Sequence, residues 1–157
     1  MTIHLSAAPV ETFTAAGNTF SVLDDGTATG RRIGLVRCEL VPGWQGPPQH
    51  VHAATDETWF VLAGVVRFTT GGESFVATPG RSVTAPRGTP HTFANADPDA
   101  PATLFCTVSP AHFVDYFREL GTLPLTAEGR FDPTDLRELA TRYDVRPYLP
   151  VLEGALP

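Results

Sequence analysis

An all-β core followed by two short α-helices is the fold class that the sequence predicts. Fifteen prolines and fourteen glycines are scattered along the 157 residues rather than bunched, as many short elements joined by tight turns require. Alternating apolar and polar runs fill the first two thirds of the chain, and after Val108 the apolar period changes from two to that of a helix. The length is near the commonest domain size, so one domain over 1–157 is expected, with a core at about 18–108 and a helical extension at 109–157.

Strand-like runs fall at 18–24, 32–41, 57–62, 65–70, 73–77, 91–95 and 102–108. Gly71-Gly72 reads as a hairpin turn, since two-residue connections need the positive φ angles that glycine tolerates. Asp25-Gly26 and Pro86-Arg87-Gly88 punctuate the chain in the same way. Beyond Val108, Ser109 is a candidate cap and Pro110 fits a first helical position, ahead of an apolar stripe at Phe113, Val114, Tyr116, Phe117 and Leu120 that stops at Gly121. Asp132 as N-cap, Pro133 next, and Leu136, Leu139, Ala140 and Tyr143 at helical spacing signal a second helix. Both helices are expected to fold back on the sheet or across its open end.

Composition removes several classes of function. Eleven basic against seventeen acidic residues give a formal charge of −6 with no basic stripe, which excludes the electrostatic footprint of a nucleic-acid binder. Every basic residue is arginine, so a Schiff-base or phosphate-loop lysine is absent. Residues 1–10 carry neither a basic cluster nor an apolar run, and no stretch approaches the ~20 apolar residues of a membrane span. A cytoplasmic protein without membrane partner is expected, with Cys38 and Cys106 as buried thiols rather than a disulfide.

Three of the five histidines carry the chemistry. His50 and His52 are two apart, so on a strand both imidazoles face one side, near enough to share a cation at ~2.0–2.1 Å from each nitrogen. Residues 53–56 can turn the chain so that Glu57 opens the next strand, on a face with Trp59 and Val61, while Asp56 points the other way. His91 heads a further strand and offers a third imidazole from a distant part of the sequence. His4 and His112 read as ordinary histidines. Trp59, Phe93, Phe105 and Cys38 are candidates for a substrate cavity. Thr58, Phe60 and Leu62 point away from the ligand face and could join two copies in a homodimer.

Gly80, Pro86, Gly88, His91 and Asn95 reproduce the second motif of the cupins: glycine, five residues, Pro-x-Gly, two residues, His, three residues, Asn. Chance agreement at those spacings is on the order of 10⁻⁷ per starting position, so the sequence resembles that superfamily strongly. His50, His52, Glu57 and Gly64 match the first motif, although its leading glycine falls on Trp44, leaving Gly43 or Gly46 to shape that turn. The resemblance covers roughly 18–108 and implies a double-stranded β-helix, or jelly-roll barrel, holding one divalent metal through His50, His52, Glu57 and His91.

Such a site leaves up to two positions open on a six-coordinate Fe, Mn, Co, Ni or Zn ion, which suits an enolate or hydroxy-ketone and, for a redox metal, dioxygen. The segments around His50, Glu57 and His91 are similar to single-domain cupins grouped with quercetin 2,3-dioxygenase. That likeness implies a metal-dependent dioxygenase acting on a flavonol-like or other enolisable small molecule, with Glu57 as ligand and base. A Lewis-acid isomerase, cyclase or decarboxylase is the alternative, and a non-catalytic ligand-binding cupin the second. Metal binding should weaken as pH falls through the imidazole range near 6.

Overall fold

The computed structural model describes Ile3, Leu5 and residues 8–149; His4 lies outside the described residues. The elements in chain order are β1 (Glu11–Ala15), β2 (Asn18–Asp24), β3 (Gly34–Leu40), β4 (His50–His52), β5 (Asp56–Ala63), β6 (Val66–Thr70), β7 (Glu73–Ala77), β8 (Ser82–Ala85), β9 (Thr92–Asn95), β10 (Ala102–Ser109), α1 (Phe113–Leu120), α2 (Pro133–Arg142) and β11 (Val145–Pro147). A six-stranded sheet runs β1-β2-β3-β10-β5-β8 and a three-stranded sheet runs β7-β6-β9, all antiparallel, while β4 pairs separately with β11.

The period of two decides which side chains enter the core. Val36, Cys38 and Leu40 of β3, Trp59 and Val61 of β5, and Leu104, Cys106 and Val108 of β10 are all buried on one face of the large sheet. Val66 and Phe68 of β6 face them, and Trp59 meets Phe68 at 5.4 Å and Phe93 at 5.5 Å between ring centres, joining the two sheets. Both cysteines are free and buried, as their alternating strands require.

The ends of the chain depart from the sequence reading in instructive ways. Ser109 does not cap a helix; it closes β10, donates its hydroxyl to the Arg32 carbonyl oxygen at 3.0 Å, and α1 begins only at Phe113 after His112. The second helix starts as expected, with Thr134 N–H donating to Asp132 Oδ1 at 2.7 Å and Pro133 in the first turn. Phe113, Val114 and Phe117 of α1 are buried, and Arg118, paired with Asp115 on the same helix, ties it to Glu11 and Asp25. Among the described residues no helix is long and apolar enough to cross a membrane.

The turn left open by Trp44 falls to Gly46. Its φ is +80°, and a Cβ there would collide with the Phe93 carbonyl. Gly43 also has positive φ but stands clear, with Pro98 Cα as its nearest neighbour at 3.7 Å. Asn95 of the second motif is buried and bonds the connections around it, donating to the Val41 and Ala100 carbonyls at 3.0 and 2.8 Å and accepting from Asp97 N–H at 3.1 Å. These bonds seat β9, and with it His91, against the loop that leads to β4.

Candidate metal centre

His50 and His52 lie on β4 with their rings on one face, as residues two apart must. Next to them, His50 and His91 exchange both backbone hydrogen bonds, His50 N–H to His91 O at 3.0 Å and His91 N–H to His50 O at 2.9 Å, which brings the third imidazole alongside. The turn before His91 is anchored by Gly88, whose N–H donates to the His52 carbonyl at 2.8 Å from a φ of +83° that a Cβ would strain. Glu57, two residues before Trp59 on the buried face of β5, completes the group. Asp56 faces outward, where Arg87 holds its carboxylate at 2.5 Å and 2.8 Å.

Four donor atoms converge. His50 Nε2 is 3.1 Å from His52 Nε2, Glu57 Oε2 is 3.0 Å from His52 Nε2, and Glu57 Oε2 is 3.1 Å from His91 Nε2. All four lie within 4.8 Å of one another. Two ligands at right angles around one ion at ~2.1 Å would be separated by ~3.0 Å, so the residues fit a single divalent metal. Imidazole nitrogens at that separation need a proton or a cation between their lone pairs. The outer nitrogens are already assigned: His50 Nδ1 lies 3.0 Å from the Pro48 carbonyl oxygen and His91 Nδ1 lies 2.8 Å from that of Thr89. Donation to those carbonyls leaves each Nε2 lone pair turned inward, the arrangement that metal-ligating histidines use. His52 Nδ1 is buried without such a partner among the described residues, its ring instead meeting Phe113 edge-on at 4.5 Å between ring centres.

Electrostatics agree with this role. In the metal-free protein burial alone would raise the Glu57 carboxyl, but the hydrogen-bonding and electrostatic pull of His52 and His91 outweighs it and holds it well below the usual carboxylate range. Burial, reinforced by the neighbouring His52 and His91, pushes His50 down to about 4. Proton competition at His50 is thereby moved below the expected range near 6. Burial and the Glu57 charge push the Cys106 thiol up, and they push Tyr116 up to about 12.

The sign of the pH dependence follows. The unfolded His50 takes up its proton near the ordinary value of ~6.5, the folded one near 4, so between these the unfolded state binds more protons. Stability of the metal-free protein should therefore decline as pH drops from ~6.5 and level off near 4, with Glu57 adding a loss of the same sign at lower pH. Melting temperatures between pH 7 and 4 measure this. His50→Ala should flatten the slope, and an unchanged slope would refute the assignment.

Of the residues proposed to line a cavity, Trp59 stands beside His91 with ring centres 5.4 Å apart, Phe93 packs at a tilt against Trp59 and edge-on against Trp44, and Cys38 is buried on the inner face of β3. Phe105 is not brought to them: it pairs with Arg37 and Phe60 on the outer face, because Leu104 and Cys106 take the inner one. Cys106 was missed. Its Sγ donates to Glu57 Oε1 at 3.6 Å, and the alternation of residues 102–108 was the signal that placed it inward. Phe113, read from the sequence only as part of an apolar helical stripe, touches His52.

Residues 36–108 match the family model described as "Cupin domain". No curated protein matches significantly. Among solved structures, the chain is similar to a sugar phosphate isomerase from a cupin superfamily of Silicibacter pomeroyi, at 27% identity and TM-score 0.52 over 59% of each chain, less than two thirds of the isomerase's length. It is also similar to KdgF from Halomonas sp., at 21% identity and TM-score 0.52 over 60% of this chain and 81% of that one. A conserved double-stranded β-helix protein from Klebsiella pneumoniae aligns at 23% identity and TM-score 0.50 over 69% and 83%. Residues 36–108 therefore resemble a cupin domain, and the fold that contains them is the all-β double-stranded β-helix of the cupins.

Proposed function

We propose that this chain is a metal-dependent dioxygenase acting on an enolisable or flavonol-like small molecule. The convergence of three imidazole nitrogens and one carboxylate oxygen beside the aromatic rings of Trp59 and Phe93 carries the reading. Fe, Mn, Co, Ni or Zn fits His50, His52, Glu57 and His91, and a redox-active ion held there would supply Lewis-acid polarisation and one-electron chemistry toward dioxygen. Glu57 Oε2 is committed to the histidines, whereas Oε1 meets the weak thiol donor of Cys106 and is the oxygen left to take a substrate proton.

The likeness to the sugar phosphate isomerase favours a second reading, in which the metal acts only as a Lewis acid on a carbonyl and no oxygen is consumed.

Oxygen uptake decides between them. Protein reconstituted with Fe²⁺ or Mn²⁺ should consume a flavonol with one dioxygen per substrate. Equal turnover under argon, or with redox-inert Zn²⁺, would replace the dioxygenase with the Lewis-acid enzyme.

A cytoplasmic homodimer belongs to the same proposal. Phe60 and Leu62 are 42% and 38% exposed on the outer face of β5, and Phe105 is the cross-strand neighbour of Phe60. Light scattering should find about twice the 16.8 kDa chain mass, and a species of the chain mass alone would reject it.

A further inference from the structure

The strand that carries two of the four candidate ligands is among the shortest of the described strands. β4 is three residues long and belongs to neither large sheet. On one side it has the bridge between His50 and His91 and the bond from Gly88 N–H to the His52 carbonyl. On the other it has β11, in antiparallel register with Val145 opposite His52, Arg146 opposite Val51 and Pro147 opposite His50. Pairing extends past both ends: Ala53 N–H donates to the Asp144 carbonyl at 3.1 Å, and Tyr148 N–H to the Gln49 carbonyl at 3.0 Å. A two-stranded ribbon is marginal by itself, so each of these strands depends on the other.

The C-terminal extension is built to deliver β11 to this position. Asp132 caps α2, and after the helix the chain reverses through Asp144 at φ +56°. Tyr143 donates its hydroxyl to Glu119 Oε1 at 2.5 Å and packs on Tyr116 at 5.7 Å and Phe113 at 6.4 Å between ring centres. Phe113 in turn meets His52. The extension thus reaches the ligands twice, through the backbone of β4 and through the ring of His52.

We infer that β11 is a positioning element of the metal centre, holding His50 and His52 in register with Glu57 and His91 although none of its residues is a ligand. This rests on the metal reading above. Ligand sets tolerate displacements of only ~0.5 Å, so freeing one edge of β4 costs affinity before it costs the fold. The sheets β1-β2-β3-β10-β5-β8 and β7-β6-β9 are complete without β11.

Arg146 allows a clean test, because its side chain is exposed while its backbone sits at the centre of the pairing. Arg146→Pro removes the backbone N–H, and Arg146→Ala retains it. Co²⁺ affinity is read by competition with a chelator and by the visible spectrum of the bound ion. Arg146→Pro should bind Co²⁺ about 10- to 100-fold more weakly with an altered spectrum, the range that outer-shell changes produce. Arg146→Ala should stay within about twofold of wild type. Both metal-free variants should keep a cooperative thermal transition. A chain ending at Arg142 should behave like the proline variant.

Wild-type affinity and spectrum in Arg146→Pro would overturn the inference. Loss of the cooperative transition in both the proline variant and the shortened chain would also overturn it, by making β11 a general requirement of the fold. A wild type that binds no Co²⁺ would instead sink the metal reading itself, and this inference with it.

Discussion

Replacing His52 by alanine should remove most of the one divalent metal expected per chain, and His91→Ala should do the same. Both rings are buried, at 2% and 6% exposure, so water cannot easily take the vacated position. Each is also within 3.1 Å of Glu57 Oε2, and its loss leaves that carboxylate with one imidazole partner in place of two. His50 is only partly buried, and a solvent molecule can substitute for it more readily. The expected order of metal loss is therefore His52 and His91 ahead of His50, each larger than the ~10- to 100-fold that outer-shell changes cost. His112, which stacks on Tyr143 at 6.5 Å and caps α1, is the matched control and should leave the metal in place. Elemental analysis of purified variants measures this directly. Full occupancy in all three ligand variants would remove the metal assignment.

The same residues show what could be read from the sequence and what could not. His50 and His52 were legible because a strand's period of two is a local rule, and Glu57 was separated from Asp56 by the same parity, now seen in the Asp56–Arg87 pair on the outer face. The start of α2 was legible because a cap is a local bond. Phe105 was misplaced although the same parity was available: once Leu104 and Cys106 enter the core, Phe105 cannot. Glu11–Ala15, Ser82–Ala85 and Val145–Pro147 escaped notice for a different reason. They are short and mostly polar or proline-bearing, and they become strands only because a partner lies beside them: β2 for the first, β5 for the second, β4 for the third. Long-range pairing of this kind leaves no periodic trace. The helix at Ser109 was displaced by the same cause, since pairing with Asp56 of β5 extends β10 through the residue that otherwise resembles a cap.

The largest effect on turnover is expected at Glu57. Glu57→Gln keeps the shape of the side chain and one carbonyl oxygen, so the position facing His52 and His91 can still be filled by a weak donor. What is lost is the negative charge, and with it the oxygen that faces Cys106 Sγ at 3.6 Å as a proton acceptor. If Glu57 takes the substrate hydroxyl proton, the rate should fall by about 10²- to 10⁴-fold, the usual contribution of general-base catalysis. If it is a ligand only, the fall should track metal content and disappear when rates are divided by bound metal. The comparison is therefore made at equal metal occupancy, under saturating substrate, with dioxygen uptake as the readout. Cys106→Ala provides the second arm: it removes the weak donor from Glu57 Oε1 without touching a ligand, so it should change the pH profile of the rate while leaving metal content intact. A glutamine variant that turns over at the wild-type rate per bound metal would leave Glu57 a ligand and place the base elsewhere.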